Sequence, residues 1–431
     1  MRYVPMIFFS LVLVAHHSRG GEPGLMGLWL TLPLALFFRR RWVDRALQLM
    51  MVAGAFEWAL TVQSIIEVRL MVGLPYLRMV LILGAVVLLT AASGLLLETR
   101  GRRKRLPDDD PVGPGLGAFL FVAAMLIPVQ LFVEPKGILA ERFLTAGGWW
   151  EGFILALYAG WLADKLRDPK MIGRLRPRVW LLFSVIFFTQ FILGISGFEK
   201  FLMTGQLHLP VPTLIAAGPL FRGGGLFMAI LFSASVLLVG PGWCSWLCYI
   251  GAWDNYAAMG RKLPGTLPKQ RPLMRIIILV LVLGTAFVLG RLGVSLVTAG
   301  WLAASFGLVG VGLMVFWSRR TGHLTHCTAY CPMGWLATRL GRLSPWRLRI
   351  ADTCTDCGSC TPSCRFDALY PTDVLKRIPG EACTLCGDCI SQCPTSSLEY
   401  RIPGLSPTRA RTVFLVMVAA MHAAWIGVAR L

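Results

Sequence analysis

The sequence predicts an all-α polytopic membrane protein of about eleven transmembrane helices, with a small cysteine-rich insert before the last of them. Three observations carry this expectation. Apolar runs near the ~20 residues that cross a bilayer recur along most of the 431 residues. Basic residues collect in alternate short loops between those runs. Eight of the twelve cysteines fall in two closely spaced groups of four. Composition agrees with the first point: 56% of residues are hydrophobic and only 15% charged, with mean hydropathy +0.65. A soluble domain has roughly 45–50% apolar and about 25% charged residues.

The expected spans are 3–16, 24–38, 46–66, 77–97, 115–133, 148–164, 179–197, 224–241, 273–292, 298–317 and 411–429. The first two are short and read as tilted, re-entrant or interfacial. Loops 39–45, 99–105, 165–178 and 260–275 are strongly basic, whereas 16–23, 67–78 and 291–298 are much less so. This alternation gives a bacterial inner-membrane protein with its N-terminus and residues 318–410 in the cytoplasm and its C-terminus outside. The formal charge of +20 is thereby explained by topology, and nucleic-acid binding is not expected. No cleavable signal peptide is expected, because the apolar run of "MRYVPMIFFSLVLVA" is short and no small-residue cleavage pattern follows it.

The stretch "GRRKRLPDDDPVGPG" reads as a charged, Pro/Gly-rich linker, and its Asp108 to Asp110 as a solvated loop. The domain expectation is a four-span unit at 1–100, a linker at 101–114, and a membrane electron-transfer core at 115–317. A cytoplasmic segment at 318–410 and a last helix at 411–431 follow. The loop at 197–225, apolar and Pro-interrupted, is expected to dip into the interface or cover a cavity.

Within 318–410, "CTDCGSCTPSC" (354–364) and "CTLCGDCISQCP" (383–394) share the spacing C-x2-C-x2-C-x3-C. This is the two-cluster ferredoxin pattern, in which the fourth cysteine of each run ligates the other cluster. Cys354, Cys357, Cys360 and Cys393 are therefore assigned to one [4Fe–4S] cluster, and Cys383, Cys386, Cys389 and Cys364 to a second. Gly358 and Gly387 stand where each ligand loop must turn tightly. The first run has Arg365 where a proline is usual. Zinc is the alternative, but a twofold repeat of this spacing is not a zinc pattern.

Two further pairs, Cys244/Cys248 in "GWCSWLCYIG" and Cys327/Cys331 in "HCTAYCPMGW", are each four residues apart at the end of a span. On a helix such positions share one face. Their matched placement suggests two half-units facing one another, with four thiolates converging on a third iron–sulfur or other metal centre. A disulfide and simple apolar packing are the competing readings; cytoplasmic thiols tend to stay reduced.

Ionisable groups inside spans are functional candidates because burying them is costly. Glu57 and His422 are the catalytic candidates, as hydrogen-bonding groups of a quinone site. His422 could also be an axial ligand of haem, a cofactor not otherwise expected. Glu151 is a third such residue, and an interhelical hydrogen bond is the competing reading for all three. His16 and His17 are expected in an outside loop, and His323 and His326 in a solvated loop before Cys327.

With these motifs assembled, residues 175–430 resemble the polyferredoxin-like membrane iron–sulfur proteins of the NapH/NosR/CcoG type. Those carry twin C-x3-C-P motifs and two [4Fe–4S] clusters. The resemblance implies electron transfer between the quinone pool and a redox partner protein or subunit, with membrane lipid as surroundings. It also admits a metal-centre assembly role that supplies reducing equivalents. An ion-coupled redox transporter ranks last, since few buried charges are available. The departure is at Tyr249, where the family has proline; the second pair keeps Pro332. Residues 1–110 have no counterpart in that family.

Overall fold

A computed structural model describes the chain except for residues 1–2, 39, 96, 98–112, 135, 203–208, 266, 268–269 and 429–431. The basic loop at 99–105 and residues 101–112 of the expected linker, Asp108 to Asp110 included, lie outside the described residues. The chain forms two compact units, Met1–Asp164 and Lys165–Leu431.

The first unit contains α1 (Val4–Gly20), α2 (Pro23–Thr31, prolonged as a 3-10 turn over Leu32–Phe37), α3 (Arg41–Met71), α4 (Leu77–Leu95), α5 (Pro114–Phe132) and α6 (Gly147–Lys165). Pro23 and Pro114 open their helices, where a missing N–H costs nothing and the fixed φ is already helical. This unit extends past the expected linker to Asp164, whose carboxylate accepts an ion pair from Arg40 Nε at 3.1 Å.

The second unit contains α7 (Pro169–Ile195), α8 (Leu214–Arg222), α9 (Phe227–Val239), α10 (Trp243–Trp246), α11 (Tyr249–Ala258), α12 (Arg271–Arg291) and α13 (Leu296–Leu313), which runs on through a π turn to Thr321. After a second π turn at His326–Tyr330 come α14 (Pro332–Leu340), the insert, and α17 (Pro407–Val428), with α15 (Pro371–Leu375) and α16 (Asp388–Gln392) inside the insert. The insert is closed by β1 (Arg347–Ile350), antiparallel to β2 (Leu398–Arg401), with Ile350 opposite Leu398.

The protein is thus an all-α membrane bundle with a ferredoxin-type insert. Each of the eleven expected spans coincides with a helix. Among the described residues eight helices are long and apolar enough to cross a bilayer: α3, α4, α5, α7, α9 prolonged to Trp246, α12, α13 prolonged to Thr321, and α17. Of the other three, α1 has 17 residues, α2 has 9, and α6 carries Glu151, Asp164 and Lys165. The apolar stretch of α13 is only 11% buried and so presents its Leu and Val side chains to lipid, whereas that of α17 is 56% buried and serves as a core helix of its unit.

The second unit repeats itself. Two long helices, a cysteine pair and a short helix follow one another as α7, α9, Cys244/Cys248, α11, and again as α12, α13, Cys327/Cys331, α14.

Candidate redox centres

Neither cysteine pair lies along one helix, which corrects the i, i+4 expectation. In each pair the helix breaks before the second cysteine. Cys248 (ψ 113°) and Cys331 (ψ 115°) are extended, and each stands at the N-cap of the next helix, α11 or α14. Pro332 explains the second case, because a residue before proline is pushed out of the helical region. Tyr249 does the same work by other means. Its ring stacks on Phe187 with centroids 3.9 Å apart. Trp180 Nε1 donates to the Cys248 carbonyl at 2.8 Å, and Ser184 Oγ to the Tyr249 carbonyl at 2.7 Å. The proline is absent but its turn is kept.

The two sites match residue by residue. Cys248 Sγ meets the N–H groups of Ile250 and Gly251, and Cys331 Sγ those of Met333 and Gly334, at the same offsets. A helix N-terminus stabilises an anion there. A Cβ at Gly251 would sit 3.0 Å from the Cys244 carbonyl, and one at Gly334 2.9 Å from the Cys327 carbonyl. Both positions therefore need glycine. All four thiols line one cavity with Arg275, Phe366, Ala382 and Thr384. Cys327 interacts electrostatically with Cys244, Cys248 and Cys331, and Asp254 Oδ2 accepts its N–H at 2.9 Å. Burial pushes the Cys248 thiol up to about 12, and a bound cation is what lowers such a thiol.

In the insert, Cys354, Cys357, Cys360 and Cys393 line a second cavity, the grouping read from the spacing. Cys364, Cys383, Cys386 and Cys389 form a third set, in which Cys389 interacts with the other three. The two runs share an unusual backbone. The residues before and after the second cysteine, Asp356 and Gly358 in one run and Leu385 and Gly387 in the other, all have positive φ. Three residues after the fourth cysteine, Asp367 and Ser396 do too. Such turns direct successive N–H groups inward around an anion. Ala368 N donates to Cys364 Sγ and Ser397 N to Cys393 Sγ, each at 3.3 Å. This donor set fits [4Fe–4S] groups, for which the four cysteines of each set would be the ligands.

The sets differ in their surroundings. Cys357 is exposed, and the Ser359 hydroxyl beside it holds its thiol below the ordinary value. Burial instead pushes the Cys364, Cys383 and Cys386 thiols up to about 12.

Four contacts fasten the buried set to the membrane helices. Arg176 on α7 makes a two-point ion pair with Asp388, Nε–Oδ1 2.8 Å and Nη2–Oδ2 2.6 Å, and also donates to the Ser245 carbonyl at 3.2 Å. Arg271, the equivalent residue on α12, pairs with Asp367. Ser245 Oγ donates to the Thr384 carbonyl at 2.9 Å. Arg365, in the place of the usual proline, donates to the carbonyls of Ala258 and Gly322 at 2.8 Å each and of Arg261 at 3.0 Å. Sequence reasoning singled out Arg365 only as a missing proline and passed over Arg176 and Arg271.

The remaining candidates have defined places. His17 is not in a loop but on α1, buried, with Nε2 2.8 Å from Glu57 and Nδ1 2.8 Å from Glu22; His16, on the same helix, packs at a tilt against Trp58 with ring centroids 4.6 Å apart. Glu151 accepts the Ala140 N–H at 2.6 Å. His422 is fully buried, donates from Nδ1 to the Trp246 carbonyl at 3.1 Å, and so touches the first cysteine motif. His323 is also buried rather than solvated; Nε2 bonds the Gly265 carbonyl at 2.9 Å. His326 is buried under Gly310.

A membrane helix bundle that carries a ferredoxin-type insert, and whose cysteines gather in sets of four, has the donors and the setting for iron–sulfur groups at a membrane. Comparison with known proteins agrees. A 4Fe-4S binding domain family matches residues 221–266, the segment that holds Cys244 and Cys248. The "Putative electron transport protein YccM" of Escherichia coli (strain K12) is 25% identical over 232 residues, 48% of this chain and 64% of that protein. The chain thus spans less than two thirds of that relative's length. No solved structure matches the chain.

Proposed function

We propose that the chain carries electrons between the quinone pool and a redox partner through three centres in a fixed order: the twin-pair set, the Cys383 set, the Cys354 set. One observation carries the order. Ala382 and Thr384, which wall the twin-pair cavity, flank Cys383 in the chain, and Phe366, on the same wall, lies two residues from Cys364. At the far end of the insert, Cys357 is open to a partner. The basic loops support an insert on the cytoplasmic side.

In this reading [4Fe–4S] groups supply one-electron capacity, and the chain's residues set the path. The helix N-termini at Cys248 and Cys331 stabilise thiolate, Arg176 and Arg271 hold the insert against the membrane helices, and buried aromatic side chains exclude water. Quinol oxidation releases two electrons and two protons. His422, tied to the Trp246 carbonyl, is the proton acceptor assigned in this unit.

The test is anaerobic stopped-flow reduction by a quinol, followed by optical and EPR signals. The double variant Cys244→Ser/Cys327→Ser should lose quinol-driven reduction of the insert while dithionite still reduces it. Reduction by quinol at the wild-type rate in that variant would sink the order proposed.

A further inference from the structure

The two halves of the second unit match closely, and they part at one position beside the thiols. On α7, Arg176 holds the insert, and one turn on Trp180 packs against Gly251; a Cβ there would lie 2.6 Å from the indole. On α12, Arg271 holds the insert, and one turn on Arg275 packs against Gly334; a Cβ there would lie 2.7 Å from Nη2. One half thus offers a neutral ring where the other offers a fixed positive charge.

Arg275 is unusual for its helix. Most of α12 is exposed apolar surface, yet Arg275 is only 7% exposed and lines the cavity of the four thiols. Its Nε has no hydrogen-bond partner. Asp254 stands at the thiols, and its oxygens are engaged by Ser318 Oγ at 2.6 Å and the Cys327 N–H. The charge interactions at the guanidinium come from the thiols of Cys331, Cys244 and Cys327, and from Arg271 as a like charge. An isolated buried cation is costly, and among the described residues no carboxylate forms an ion pair with this one.

We propose that Arg275 is the counter-charge of the twin-pair centre and sets its reduction potential. The inference rests on the twin-pair centre proposed above. A tetrathiolate iron–sulfur group gains one negative charge when it accepts an electron from the donor, and no proton or bond need change. A fixed cation at the thiols stabilises that reduced form more than the oxidised one, because attraction grows with charge and is strong in a dry cavity. Arg275 therefore holds the potential of this centre above the value the thiolates alone would give. This lets a quinol reduce it, and the matched Trp180 side cannot do so.

The experiment is an EPR-monitored redox titration of the purified full chain, with iron counted on the same samples. Arg275→Gln should move one centre to a more negative midpoint and leave the two insert signals in place; Arg275→Lys should restore most of the shift. Gly334→Ala, which displaces the guanidinium without removing it, should shift the same centre in the same direction. An unchanged midpoint in Arg275→Gln with full iron overturns the inference. If Arg275→Gln fails to assemble, Gly334→Ala decides: a wild-type midpoint in that variant, with full iron, overturns the inference equally. About eight irons in the wild-type protein would instead refute the underlying third centre, a result distinct from an unmoved potential.

Discussion

Asp388→Asn removes a charge and keeps the shape at the point where the insert meets the membrane helices. The Arg176 side chain is 1% exposed and that of Asp388 15%. The guanidinium makes four hydrogen bonds, two to Asp388, one to the Ser245 carbonyl and one to Asn255 Oδ1 at 3.3 Å. The variant leaves the guanidinium buried without its carboxylate partner. Breaking a buried pair from one side costs about 3–5 kcal/mol, or roughly two to four powers of ten in the equilibrium that seats the insert. Hydrogen exchange reads this directly. Amides of 383–393 and of 244–248 should both exchange faster, because Arg176 bonds to both segments. The double variant Arg176→Met/Asp388→Leu should recover much of the protection, since no lone charge remains. Wild-type protection of both segments in Asp388→Asn would refute the reasoning.

Two further outcomes are expected. Gly387 has φ +82°, and a Cβ there would lie 2.6 Å from Tyr400 Oη, whereas Gly358 at φ +71° has open space. Gly387→Ala therefore carries a clash on top of about 1–3 kcal/mol of backbone strain and should lose about four irons per chain; Gly358→Ala should keep them, as iron and sulfide assays will read. Glu57→Gln weakens one of the two carboxylate contacts of buried His17. It should lower the thermal unfolding temperature by a few degrees, as ~1 kcal/mol does, while iron content stays the same.

The parts of the molecule visible in the sequence are those fixed by spacing or by hydropathy. The two groupings of four cysteines in the insert follow from C-x2-C-x2-C-x3-C because short intervals leave the chain few ways to bring them together. The matched pairs at 244/248 and 327/331 predicted a shared cavity, but not how it is built. The break before Cys248 depends on Trp180 and Phe187, more than 60 residues away in sequence, and no local pattern encodes it. The arginines were hidden by their own topology signal. Arg176 in "RLRPRVW" and Arg275 in "RPLMRIII" stand at the basic ends of spans, where the positive-inside rule already accounts for them. Only burial separates these working charges from their solvated neighbours. His17 was placed in a loop because the apolar run ends at Ala15, yet the helix continues to Gly20 around the His17–Glu57 contact.

The central claim is that four thiols from two repeated half-units hold a redox centre beside the insert. Iron and acid-labile sulfide, counted per chain on anaerobically purified protein alongside EPR, test it most directly. The account predicts about twelve irons, falling to about eight in Cys244→Ser/Cys327→Ser with the insert signals intact. About eight irons in the wild-type protein, unchanged in that variant, would contradict it.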